Sequence, residues 1–254
     1  MQNYKIMKNI KIILLTAVLL STLHTTLFAF EADDLYRNGQ YSEAIAQYES
    51  VLASGLTSPE LYYNLGNAYY RDNQLGRAIL NYSRALRLRP TMTDARENLA
   101  LAESKTVDHI VTLPQLFVVR WYNSICTALS PTAWRIIWLT VFAILAAVFV
   151  TFRLARNYNL RKWTFVSCFA VLLLLLCVSA FWHTSALRFN SHREAVVMQS
   201  SVAIKSSPER QSVDKLILHE GTTVRIDEEL SGWYKITIAD GTNGWCESNA
   251  IERI

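Results

Sequence analysis

The sequence predicts a multidomain membrane protein: an α-helical repeat domain of the α-solenoid kind, two transmembrane helices, and a small all-β barrel. Three observations predict it. Residues 31–105 repeat at a fixed period. Two apolar stretches, Trp134–Phe152 and Trp163–Trp182, are long enough to cross a bilayer. From Ala195 onward the chain breaks into short β-rich runs separated by turn residues. Composition agrees, because 51% hydrophobic and 18% charged residues is more apolar than a soluble domain needs. The net charge of +4 comes from 25 basic and 21 acidic residues that are scattered along the chain, so no nucleic-acid partner is expected.

The expected organisation is a signal peptide over residues 1–29, a repeat domain over 30–106 and an amphipathic connector over 107–133. Spans at 134–152 and 163–182 then flank a loop at 153–162, and a linker at 183–194 leads to a β domain over 195–254. The N-terminus sets Lys5, Lys8 and Lys11 before the apolar run Ile12–Leu20, and Ala29 suits a cleavage site, which is the order of a secretory signal.

Within the repeats, Ala44 and Ala78, and likewise Tyr48 and Tyr82, are separated by one 34-residue period. The run PELYYNLGNAYYRDNQLGRAILNYSRALRLRP puts Tyr62, Leu65, Gly66 and Tyr69 on one helix and Ala78, Tyr82 and Ala85 on the next, closed by Pro90. Small Gly66, Ala78 and Ala85 would let two antiparallel helices approach while Leu65, Tyr69 and Tyr82 fill the space between. The pattern resembles the tetratricopeptide repeat, with Tyr62 in place of the usual tryptophan. A preceding unit is visible in GQYSEAIAQYESVL, its first helix beginning near Phe28, and Thr93–Lys105 would form a capping helix.

That resemblance implies a concave groove for peptides or partner proteins. Its positions correspond here to Tyr36 and Arg37, then Glu60, Tyr63, Asn67, Tyr70 and Arg71, then Glu97 and Leu101. Mixed aromatic and polar character suits protein recognition, the alternative being a merely solvated face.

In the connector, Leu113, Leu116, Phe117, Trp121, Tyr122, Ile125 and Leu129 recur at helical spacing, which suggests an interfacial helix on the outer leaflet, or else a loop packed on the repeats. The first span should start at Ser130-Pro131, an N-cap followed by proline in the first turn. Each span covers about 28–30 Å at the helical rise, and neither carries an acid, lysine or histidine in its interior, which argues against transport. The loop between them holds Arg153, Arg156, Arg161 and Lys162 without an acid, matched in number by Arg120, Arg135, Arg188 and Arg193 on the outer flanks, so the export signal decides: it sends the first span inward, with the loop in the cytoplasm and both large domains on the other side.

The β-rich runs are AVVM, VAIK, TTVRID, WYKITI, GWCE and AIERI, with Ser231-Gly232, Asp240-Gly241 and Asn243-Gly244 as turn signals. Their arrangement resembles a bacterial SH3 domain, with Gly221, Trp233, Gly244 and Trp245 at its recurring positions. Val224, Ile236, Ile238 and Trp245 should be core, while Trp233, Tyr234 and Glu247 could form a shallow ligand face.

No catalytic residues, metal site or cofactor are expected. The five histidines lack ligand spacing, the four cysteines form no framework, and no phosphate loop or nucleophile elbow is present. The cysteines read as buried small hydrophobes, with a Cys126–Cys246 bridge as the alternative.

The motifs FEADDLYRNGQYSEAI, NLGNAYY, RALRLRP and DAREN, followed by two spans and an SH3-like domain, resemble the Bat (aerotolerance) family over nearly the whole chain. The resemblance implies a multi-pass protein of the bacterial inner membrane with its repeat and SH3-like domains in the periplasm. It also implies partnership with von Willebrand factor A-type membrane proteins and a MoxR-class ATPase in envelope integrity or stress tolerance. An alternative is a cell-wall sensor that binds peptidoglycan through the SH3-like domain.

Overall fold

A computed structural model of the chain describes residues 31–110, 116–190 and 193–254. The predicted signal segment lies outside the described residues.

Five helices form the repeat region: α1 over residues 31–37, α2 (Tyr41–Ala53), α3 (Pro59–Arg71), α4 (Leu75–Leu88) and α5 (Thr93–Glu103). The period read from sequence coincides with burial. Ala44 and Ala78 are fully buried, and Tyr48 and Tyr82 are 2% and 1% exposed. Gly66 on α3 sits against the Tyr82 ring, where a Cβ would come within 2.8 Å of two ring carbons, so the helix pair closes only around glycine. Ser58 starts α3, its hydroxyl oxygen accepting from the Leu61 N–H at 3.1 Å with Pro59 following in the first turn. Asp33 ties three helices together, accepting from the Tyr48 hydroxyl of α2 and from Asn64 Nδ2 of α3 at 3.2 Å.

Among the described residues of the connector, α6 (Phe117–Ala128) is helical, and the next helix begins within the last three positions, at Pro131. Its Tyr122 hydroxyl shares a 2.8 Å hydrogen bond with Thr184, and Leu116, Phe117, Val118 and Trp121 remain exposed.

Helices α7 (Pro131–Leu154) and α8 (Tyr158–Asn190) pack as an antiparallel pair, and both are long and apolar enough to cross a membrane. Ser130 caps α7 by accepting from the Ala133 N–H at 3.3 Å, as the sequence predicts. Trp138 Nε1 donates to Ser179 Oγ at 2.8 Å, satisfying both groups between the helices.

Two boundaries differ from expectation. The loop shrinks to residues 155–157, because Arg153 extends α7 while Arg161 and Lys162 join the first turns of α8. The predicted linker is largely helix as well, since nothing in residues 183–190 breaks α8.

The C-terminal region is a seven-stranded antiparallel sheet: β1 (Glu194–Val197), β2 (Ser201–Lys205), β3 (Asp214–His219), β4 (Thr223–Leu230), β5 (Trp233–Thr237), β6 (Asn243–Glu247) and β7 (Ile251–Arg253). Strand order is β3-β2-β6-β5-β4-β1-β7. The sheet is open: β3 and β7 end the order without pairing, so the expected closed barrel is not what the ladders form. β7 has only three residues; Ile254 after it donates its N–H to the Glu194 carbonyl of β1 at 2.9 Å, while its own carbonyl accepts from Arg87 of α4.

β3 (DKLILH) is a strand beyond the β-rich runs expected from the sequence, and its Ile217 is 58% exposed while Leu218 is buried. Ser231 and Gly232 both take positive φ in the β4–β5 turn, the geometry of a two-residue hairpin. Asp240-Gly241 makes the next turn, whereas Asn243-Gly244 lies within β6. Val224, Ile236 and Ile238 are buried as predicted, but Trp245 is only half-buried. Strand alternation explains this: Cys246 faces the core, which puts Trp245 on the outer surface with Lys235 Nζ 5.9 Å from its ring centre. Cys126 and Cys246 are both buried and unbridged.

The two domains are docked rather than merely tethered. Val196 and Ile254 of the β domain join the apolar cluster of the repeats. Arg84 on α4 bonds Glu252 at 3.0 Å and the Arg253 carbonyl at 2.8 Å, and Arg87 bonds the Ile254 carbonyl. Glu220 accepts from the Gly76 N–H at 2.9 Å, at the start of α4.

Asp108, 13% exposed, accepts from three groups of the β domain: the His219 N–H (2.6 Å), His219 Nδ1–H (2.7 Å) and the Thr222 hydroxyl (2.6 Å). At the seam, Gly221 has φ +88°, and a Cβ there would meet Thr106 at 2.7 Å and Ile79 at 3.0 Å. Gly221→Ala is therefore expected to lower stability by about 1–3 kcal/mol, from left-handed strain plus overpacking. A denaturant titration of the purified full chain measures it.

Candidate protein-binding groove

The helices α1, α3 and α5, with Tyr82 of α4, line a cleft of about 420 Å³ that contains no residue of the β domain, which packs on α4. Amphipathic spacing builds its wall. Leu61, Leu65, Ala68 and Tyr69 of α3 are buried, and the adjoining stripe presents Tyr63, Asn67, Tyr70 and Arg71. Tyr36 from α1 and Leu101 from α5 complete the predicted residues in the cleft. The neighbouring Tyr36 hydroxyl raises the pKa of the Arg71 guanidinium, which stays a cation at the rim. Lys105 Nζ lies 4.6 Å from the Tyr70 ring centre.

Three predicted residues lie outside the cleft lining. Arg37 pairs with Asp34 at 3.5 Å. Glu60 is held by its own backbone N–H and, across to the end of α4, by Arg89, and these hold its carboxyl below the usual range. Glu97 is exposed on α5.

Two residues that line the cleft were not assigned to it from sequence, Tyr82 and Asn98. Asn67 Oδ1 accepts from both, at 2.8 Å from the Tyr82 hydroxyl and 2.9 Å from Asn98 Nδ2, and Asn98 also reaches the Tyr63 hydroxyl at 3.2 Å. Asn67 thus fixes the floor of the cleft. Burial pushes the Tyr82 hydroxyl above its ordinary pKa, so it stays a donor. The signal for Asn98 was in the sequence: it stands one 34-residue period after Asn64, which bonds back to Asp33 as Asn98 bonds back to Asn67.

On the β domain, Trp233 and Glu247 are cross-strand partners, with Glu247 also paired to Arg210 at 3.0 Å. Tyr234 does not join them. It is the next residue on β5, so it faces the other side of the sheet, pairing with buried Cys246 and lying 5.0 Å from the Arg253 guanidinium. The predicted three-residue face is therefore split, and Lys235 and Trp245 stand beside Trp233 and Glu247 instead.

Residues 31–103 match the tetratricopeptide repeat family. The match spans α1 to α5, so the tetratricopeptide region and the cleft-bearing helices are the same part of the chain. Tetratricopeptide repeats are protein-interaction scaffolds, which agrees with an aromatic cleft lined by successive first helices. No curated protein matches the chain.

Proposed function

We propose that this protein is a non-catalytic adaptor of the bacterial inner membrane, anchored by α7 and α8 as a multi-pass protein. In this reading it presents a tetratricopeptide groove and a small SH3-like module in the periplasm. The observation that carries it is the open, tyrosine-lined cleft, which the docked β domain leaves uncovered. Anchoring in one membrane raises the effective concentration of the groove for partners in the same plane. The Bat-family resemblance suggests those partners: von Willebrand factor A-type membrane proteins, and through them a MoxR-class ATPase, in envelope integrity or oxidative-stress tolerance.

Tyr70→Ala combined with Arg71→Ala removes the rim cation and a half-buried aromatic that packs on the edge of the repeat core, so the melting temperature is measured beside capture. Crosslinking in native membranes followed by mass spectrometry should show loss of the captured partner by about tenfold or more, as for interface anchors. Unchanged capture, with the melting temperature also unchanged, would remove the groove from the function. Sidedness is tested separately: alkaline phosphatase should be inactive fused at Asn157 and active fused at Ile254.

A second reading is favoured by one observation, the outward face of Trp233, Lys235, Trp245 and Glu247. Such a surface could contact peptidoglycan. Retention of the detergent-solubilised chain on purified sacculi, lost in Trp233→Ala, would support a wall sensor over the adaptor.

A further inference from the structure

A second cleft, of about 410 Å³, opens where all three parts of the chain meet. Arg87 of α4 and Arg96 of α5 line one side, Leu129 and Pro131 before and at the start of α7 another, and Ser185 near the end of α8 a third. Arg193 and Glu194, leading into β1, close it. Arg87 is engaged by the Ile254 carbonyl and by the charge of Glu194, so the lining residues assigned to an incoming anion are Arg96 and Arg193.

Position decides what such a cleft meets. Trp134, Trp138 and Trp182 cluster at this end of the helix pair, with Trp138 and Trp182 ring centres 5.8 Å apart and Trp134 5.4 Å from Phe181. Tryptophans collect at the membrane–water interface, where their rings sit at headgroup depth. Pro131 is about one helical turn before Trp134, and Ser185 is about one turn after Phe181. The exposed apolar face of α6 continues from the same region, with Phe117 and Trp121 70% and 55% exposed.

We infer that this juxtamembrane cleft holds the phosphate headgroup of an anionic phospholipid, fastening the docked repeat and β domains to the bilayer surface. The inference rests on the membrane reading above. Guanidinium groups bind phosphate oxygens through paired N–H donors, and basic pockets beside membrane helices take lipid headgroups in this way. Arg96 is already oriented by its bond to the Pro90 carbonyl, so one end of the clamp is held before the lipid arrives.

The test uses the full chain in neutral detergent with added phosphatidylglycerol, phosphatidylcholine or soluble glycerol phosphate. Phosphatidylglycerol alone should be retained in native mass spectrometry and should raise the melting temperature. In R96A/R193A retention should fall by about tenfold, equivalent to about 1.4 kcal/mol, with the lipid-free melting temperature unchanged, and R96K/R193K should recover part of it. Equal effects of phosphatidylcholine, or undiminished retention in R96A/R193A, would overturn the proposal. A shift from glycerol phosphate as large as that from the lipid would reassign the cleft to a free anion and overturn it too. Carbonate extraction of cell membranes distinguishes the broader failure: release of the wild-type chain would remove the membrane reading and this inference with it.

Discussion

Tyr82→Ala is expected to cost the repeat region about 3–5 kcal/mol, the range for deleting a buried aromatic ring. The ring is 1% exposed, fills the space that Gly66 leaves, and is tilted against Tyr63 at 6.1 Å between ring centres. Its hydroxyl also anchors Asn67, so the same substitution loosens the groove floor. Tyr82→Phe separates the two roles. It keeps the ring and loses one hydrogen bond, so it should cost about 1 kcal/mol while freeing Asn67 Oδ1 from one of its two donors. Urea unfolding of the full chain in detergent, followed by helical circular dichroism, measures both. Equal losses in the two variants would show that the hydroxyl, not the packing, dominates.

Asp108→Ala is expected to undock the β domain. It leaves the His219 N–H, the His219 ring and the Thr222 hydroxyl without their acceptor, at about 1–3 kcal/mol for each donor left buried and unpaired. Hydrogen exchange at His219–Thr222 and protease sensitivity of residues 104–110 should both rise, while α2 and α3 stay protected.

The same carboxylate gives the docking a pH dependence. Burial pushes its pKa up, but the hydrogen bonds from Thr222 and His219 outweigh that and hold it below the ordinary aspartate value. A group whose pKa is depressed in the folded state stabilises it above the unfolded value, and that contribution is lost as pH falls through the folded value. Docking should therefore hold at neutral pH and weaken below about pH 4. The wild-type chain should show this acid-induced rise in exchange at His219–Thr222, and Asp108→Ala should lack it. An identical pH response in the variant would assign the effect to another group.

Most of the architecture was legible because it is written in short-range patterns. The 34-residue period marks which alanines and tyrosines are buried, since close helix packing tolerates few residue types at Gly66, Ala78 and Ala85. Apolar length alone marks α7 and α8, and Ser130-Pro131 marks where α7 begins. Tyr36, Tyr63, Asn67, Tyr70, Arg71 and Leu101 fall in one cleft at positions that the tetratricopeptide resemblance implies. Alternation along β5 and β6, a pattern equally present in the sequence, separates Trp233 from Tyr234 and turns Trp245 outward.

The sequence by itself determined the helical repeats, the two long apolar helices and a C-terminal β region, because each is marked by a short-range pattern of residue types along the chain: a fixed period, apolar length, and β-rich runs between turn residues. Only the tertiary structure decided that the sheet stays open, that Asp108 clasps His219 and Thr222, and that Arg84 and Arg87 of α4 receive Arg253 of β7 and Ile254 after it. These partners are separated by more than a hundred residues and follow no period. A charged side chain in a polar segment carries no local mark of whether water or a distant backbone will satisfy it, and that choice is made only when the two domains meet.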